Sequence, residues 1–201
     1  MLDARLRRLI DPPLDRLSAP LAAHGLSANA VTIGGFAIGL GAAAAIAWRA
    51  YLLGLALLLL NRLCDGLDGA LARRRGLTDL GGFLDIVLDF LIYAAVPFAF
   101  ALADPAANAL PAAFLIFSFI GTGSSFLAYA IMAAKRGVST ELRGRKSLYY
   151  LGGLTEGTET TFAFVLACLW PGWFPAIAYV FGALCWLTTA TRIVVAVQTL
   201  R

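Results

Sequence analysis

The sequence predicts an all-α integral membrane protein, with six transmembrane helices preceded by an N-terminal amphipathic interfacial helix. Three observations carry that prediction. The chain is 60% hydrophobic and only 14% charged, and its mean hydropathy is +0.81, whereas soluble domains sit at about 45–50% apolar. The apolar residues gather into six runs, each near the ~20 residues that cross a bilayer. The cations gather in the connections between those runs.

The elements follow in order. Residues 2–25 place Arg5, Arg7, Arg8, Asp11, Asp15 and Arg16 among Leu2, Leu6, Leu9, Ile10, Leu14, Leu17 and Leu21, the composition of a helix lying in the interface. Pro12-Pro13 is expected to break it. Ser27 or Asn29 is a candidate N-cap for the first apolar run, which extends to Trp48. The second run covers 51–75, the third 81–103, the fourth 108–134, the fifth 148–170 and the sixth 174–198. Asp104-Pro105 and Pro171-Gly172-Trp173 mark turns. The whole chain, 1–201, thus reads as one membrane domain, a juxtamembrane segment over 1–28 and a six-helix bundle over 29–200.

Charge sets the orientation. Of the 16 Lys and Arg residues, thirteen fall on the face that carries both termini; Arg49 stands alone on the other, and Arg62 and Arg192 lie inside runs. The positive-inside rule therefore puts both termini in the cytoplasm. Trp48, Trp170 and Trp173 mark the opposite interface. The net charge of +4 belongs to loops facing a membrane surface and does not predict nucleic-acid binding. Cys64, Cys168 and Cys185 are dispersed in apolar segments without metal-ligand spacing. Gly35-x-x-x-Gly39 allows close helix contact, as generic packing or as a homodimer seam.

The stretch from Asp65 to Asp89 holds four carboxylates in otherwise apolar segments. An ionisable side chain there costs several kcal/mol unless paired or hydrated, so a bound divalent cation, or two, is the simplest compensation. Asp65 and Asp68 are spaced i, i+3 on one helix; Asp85 and Asp89 are spaced i, i+4 on the next. Asp65 and Asp68 lie about 8–12 Å inward from Arg73, and Asp85 and Asp89 about 6–12 Å inward from Gly81, so the two helices bring their acids to one level. Oxygen ligands without His or Cys favour Mg²⁺, Mn²⁺ or Ca²⁺ over zinc. Gly69 and Gly81 permit close approach of a ligand, and Arg73 continues the acid face where a guanidinium can hold phosphate. Together these residues fit a metal-assisted pyrophosphate site.

The pattern D-x-x-D-G-x-x-A-R, then G-x-x-x-D-x-x-x-D, is present in full as Asp65, Asp68, Gly69, Ala72, Arg73, Gly81, Asp85 and Asp89. It resembles the signature of the CDP-alcohol phosphotransferase (CDP-alcohol phosphatidyltransferase) family. The gap between Arg73 and Gly81 is seven residues, one fewer than that family commonly has. The stretch from Asn61 to Asp89 and the run Tyr149 to Thr160 further resemble a bacterial inner-membrane branch of it. The resemblance implies transfer of a phosphatidyl or related group from a CDP-alcohol, CDP-diacylglycerol first among them, to a small hydroxyl acceptor with release of CMP, in phospholipid biosynthesis. It implies Mg²⁺ or Mn²⁺, as two ions. Asp65, Asp68 and Asp85 would be metal ligands. Asp89 would share the second ion and act as general base. Asp68, Gly69, Ala72, Arg73 and Gly81 would border the nucleotide. Two alternatives are a CDP-aminoalcohol donor with a diacylglycerol acceptor, and a membrane ion transporter using the buried acids.

Asn29 and Thr32 open the first run, where they line the nucleotide pocket or cap the helix. Lys135, Arg143, Arg145 and Lys146 lie in a basic loop that reflects the positive-inside bias or captures an anionic acceptor. Glu156 and Glu159 are expected on the fifth span, where they orient an acceptor or pair with Arg62 or Arg192.

Overall fold

The computed structural model describes residues 2–136 and 155–200, with side chains from residue 10 onward. The described residues form helices and no strand: α1 (Leu2–Ala23), α2 (Ala28–Ala47), α3 (Tyr51–Arg75), α4 (Asp79–Ala103), α5 (Pro105–Lys135), α6 (Gly157–Leu169), a single 3₁₀ turn (Pro171–Trp173) and α7 (Phe174–Thr199). Four segments, α2, α4, α5 and the stretch from Pro171 to Thr199, are long and apolar enough to cross a bilayer. At 25 residues α3 has the length, but Arg62, Asp65, Asp68 and Arg73 to Arg75 interrupt its apolar character. The exterior is rich in large apolar side chains, among them Ile33, Leu52, Leu110, Phe117 and Ile120, each more than half exposed. So many exposed large apolar side chains suit hydrocarbon rather than water.

Three observations fix how the helices meet. Small residues let α2 lie against its neighbours: a Cβ on Gly35 would stand 2.8 Å from Cys64 Cβ on α3, and one on Gly39 would stand 2.5 Å from Ile92 Cδ1 on α4. The Gly35-x-x-x-Gly39 stripe is therefore filled from within the chain. At the far end, Phe100 of α4 stacks on Tyr51 of α3 at 5.7 Å and on Phe174 of α7 at 4.3 Å. Arg49 Nε donates to the Ala103 carbonyl at 2.8 Å nearby, so the α2–α3 and α4–α5 turns share that end. The exposed Trp48 sits there too. The acids of α3 and α4 belong to the other half.

Two elements differ from expectation. α1 runs unbroken through Pro12 and Pro13. The two missing N–H groups forfeit bonds to the carbonyls of residues 8 and 9, but α1 is held from its inner side. Leu14 is buried against Gly66, where a Cβ would come within 2.6 Å of Leu14 Cδ1. Ser18, fully buried, accepts from Arg74 Nε at 2.9 Å. The fifth apolar run, in turn, is not helical through 155–156. Glu156 is extended and α6 starts at Gly157. Glu156 and Glu159 form a capping box, the Glu159 carboxylate accepting from Glu156 N at 3.1 Å. Acids three apart at a helix start satisfy the unpaired N–H groups there, which overrides continuation of the run.

Candidate active site

The two acid-bearing helices start from opposite ends and are set by their termini. α4 is capped by Thr78, whose hydroxyl accepts from Gly81 N at 3.1 Å. This fixes the first turn, from which Asp85 and Asp89 project one and two turns later. α3 ends with Arg73, Arg74 and Arg75 in its last turn, favourable against the helix dipole. Arg74 donates to the Asp15 carbonyl at 2.7 Å, and Arg75 donates to the Ala22 carbonyl. The end of α3 is thereby tied to α1.

These constraints bring Asp65, Asp68 and Asp85 together. One carboxylate oxygen from each lies within 4.8 Å of the other two. They line one cleft with Thr32, Gly35 and Asn61, and Asp89 lines it as well. Asp68 is buried, and its Oδ2 has no hydrogen-bond partner. An unsatisfied buried carboxylate oxygen costs free energy, and a cation at this point would remove that cost. The donor set fits a hard divalent ion: all ligands are oxygen, the charge is high, and the spacing matches ligands around one centre.

Asp89 has a different neighbour. Its Oδ1 accepts from Arg62 Nη2 at 2.7 Å, and its Oδ2 lies 3.4 Å from the Tyr93 hydroxyl. Arg62 also reaches Asp65 Oδ2 at 3.8 Å. The guanidinium is held in turn by Asn61, whose Oδ1 accepts from Nε and Nη2 at 2.9 and 2.8 Å. Asn61 donates to the Gly35 carbonyl at 2.9 Å. Arg62 therefore turns to Asp89 and Asp65, not to Glu156 or Glu159. The sequence signal was present: a lone mid-span arginine three residues before Asp65, on the same face.

The other expected residues fall as follows. The Thr32 hydroxyl donates to the Ala28 carbonyl at 3.0 Å and Thr32 lines the cleft, while Ser27 caps α2. Asn29 faces Gly81, where a Cβ would stand 3.2 Å from its Oδ1. Among the described residues, a Cβ at Gly69 would meet only Arg73 Nη1, at 3.6 Å, so their packing does not require glycine there. Ala72 is half-buried on the same helix. Arg73 is paired with Asp15 at 3.3 Å and Asp11 at 3.9 Å on α1, all of them well exposed. Lys135 is exposed in the last turn of α5, and Glu156 is buried at the start of α6. Arg143, Arg145 and Lys146 lie outside the described residues. Arg192, buried on α7, donates to the Thr122 carbonyl at 2.9 Å.

Comparison with known proteins bears on this arrangement. A family model described as CDP-alcohol phosphatidyltransferase matches residues 25–194. The chain is 56% identical over 193 residues to the inner membrane protein YnjF of Escherichia coli, covering 96% of this chain and 94% of that protein. It is 37% identical over 100 residues to an archaetidylinositol phosphate synthase of Pyrococcus horikoshii, covering 49% of this chain and 53% of that one. Two crystal structures of Mycobacterium tuberculosis phosphatidylinositol phosphate synthase (PgsA1) share the fold. One, with CDP-DAG bound, aligns with a TM-score of 0.64 at 20% identity, over 90% of this chain and 91% of that one. The other, in complex with manganese and citrate, aligns with a TM-score of 0.66 at 21% identity, over 90% and 87%.

Proposed function

This chain belongs to the CDP-alcohol phosphatidyltransferase family, and on that premise we propose that it transfers a phosphatidyl group from CDP-diacylglycerol to a small hydroxyl acceptor, releasing CMP. The observation that carries this reading is the convergence of Asp65, Asp68 and Asp85 within 4.8 Å of one another. They lie in the same cleft as Asp89, and Asp68 is followed by Gly69, which packing of the described residues does not require to be glycine. PgsA1, with CDP-DAG bound, supports the choice of donor by analogy of fold. The reading includes six spans, an interfacial α1 and a site opening to the cytoplasm; its placement in an inner membrane is supported by the relative from Escherichia coli, itself an inner membrane protein.

Asp65, Asp68 and Asp85 would hold Mg²⁺ or Mn²⁺. Bound there, the ion would neutralise the diphosphate and stabilise charge on the departing CMP. The chain's own residues do the rest. Gly69, Ala72 and Gly81 leave room for the nucleotide, with Asn29 and Thr32 at its edge, and Arg73 exchanges its exposed partners on α1 for phosphate oxygens. The acceptor hydroxyl attacks the phosphorus that carries the lipid alcohol, and the bond from that phosphorus to the CMP oxygen breaks. Asp89 takes the hydroxyl proton at Oδ2, the oxygen not engaged by Arg62. Lys135, Arg143, Arg145, Lys146 and Glu156 are assigned to the acceptor side. A second ion held by Asp89 would have to compete with Arg62.

The test is CMP release by purified protein with Mg²⁺ and CDP-diacylglycerol, screened against glycerol 3-phosphate, inositol phosphate, serine and related alcohols, with a CDP-aminoalcohol plus diacylglycerol as a separate arm. The expected result is release with at least one alcohol acceptor and none in the separate arm. Absence of release with every acceptor, from a folded sample, refutes the proposal.

A further inference from the structure

We propose that Arg62 is a built-in counter-ion of Asp89 that takes the place of a second divalent ion, so that the resting protein binds one ion, at Asp65, Asp68 and Asp85. The inference deepens the metal reading given above and rests on it.

The four acids are not equivalent. Three offer oxygens to a common centre. The fourth is already compensated, with Asp89 Oδ1 at 2.7 Å from a guanidinium that also lies 3.8 Å from Asp65. A second ion held by Asp89 would need the carboxylate that Arg62 already engages. Such an ion would sit about 2.0–2.2 Å from an Asp89 oxygen, within direct reach of the Arg62 charge. Like charges repel strongly at that separation where the dielectric is low, and arginine cannot escape by losing its proton.

Arg62 is also built in place. Its side chain is 15% exposed. Two of its nitrogens share Asn61 Oδ1, and Asn61 is itself buried and fixed to the Gly35 carbonyl. Its guanidinium carbon lies 5.5 Å from the Tyr93 ring centroid, and Nη1 is 3.4 Å from the Tyr93 hydroxyl. Residues of α2, α3 and α4 thus hold one cation against one acid. A surface arginine meeting a carboxylate by chance has no such support. The bond to Oδ1 leaves Oδ2 outside the Arg62 contact, accepting from the Tyr93 hydroxyl at 3.4 Å, so Arg62 positions Asp89 as well as neutralising it.

Counting bound Mn²⁺ by electron paramagnetic resonance, on the purified full chain in detergent without nucleotide, tests this. Wild type should bind one Mn²⁺. Arg62→Met should bind a second, at least about tenfold more tightly than any second binding by wild type. Adding Asp89→Asn to Arg62→Met should abolish that second site, and Arg62→Lys should keep the count at one. Two comparable sites in wild type, or an unchanged count in folded Arg62→Met, would overturn the inference. If Arg62→Met does not fold, the wild-type count decides alone. A folded wild type that binds no Mn²⁺ refutes the metal reading itself, a distinct outcome.

Discussion

At the scale of single residues, each acid's role follows from what else it touches. Asp68 Oδ2 is buried without a partner, while Asp89 is held through Oδ1. On the proposed function, one would receive a cation and the other a proton. Asp89→Asn keeps the shape and can still accept at its amide oxygen from Arg62, but it cannot take the acceptor's proton. Turnover should fall by about 10²–10⁴-fold, with CDP affinity changed by less than about threefold. Paired measurements of CMP release and equilibrium binding check both, and wild-type-like turnover would remove Asp89 as the base. The convergence of the carboxylates was legible because buried charge at helical spacing needs compensation. The use of Arg62 was not. Whether it faces Asp89 on α4 or Glu156 at the start of α6 depends on helix packing, which spacing within one helix does not encode.

At the scale of elements, the close contact of α2 with α3 supports the site. A methyl on Gly35 would collide with Cys64 Cβ at 2.8 Å, an atom fixed to the backbone, so the two helices must separate. Gly35 also anchors Asn61 and, through it, Arg62. Gly35→Ala should destabilise by about 1–3 kcal/mol, read as a lower thermal midpoint in detergent. Adding Cys64→Gly should restore part of the loss. No change in the midpoint would contradict the packing. Helix extents were largely readable: α3 spans Tyr51–Arg75, as the apolar run and its arginine terminus indicate. The misses came from weighing composition above termini. Glu156 and Glu159 read as buried charges within a span, but their three-residue spacing was equally a cap signature. Pro12-Pro13 read as a break because the burial of Leu14 and Ser18 against α3 is tertiary.

At the scale of the whole molecule, the arrangement separates a far end closed by aromatic stacking from a near end that carries charge. Phe100 between Tyr51 and Phe174 closes one, and the arginines of α3 tie α1 across the other. On the proposed function, such a division would put the acid cleft within reach of both a lipid-embedded donor and a water-soluble acceptor. The class of fold was legible from hydropathy alone, because the bilayer forces backbone groups to be satisfied within helices. Which helices touch was not, since apolar runs carry little information about partners. The central claim is that acids from α3 and α4 share one cation that acts on a diphosphate. Anomalous X-ray scattering from crystals grown with Mn²⁺ and a CDP-alcohol tests it most directly. The account predicts a Mn²⁺ peak about 2.0–2.3 Å from oxygens of Asp65, Asp68 and Asp85, with the diphosphate on its open side. A peak away from these three acids, or bound nucleotide with no metal between it and them, would contradict it.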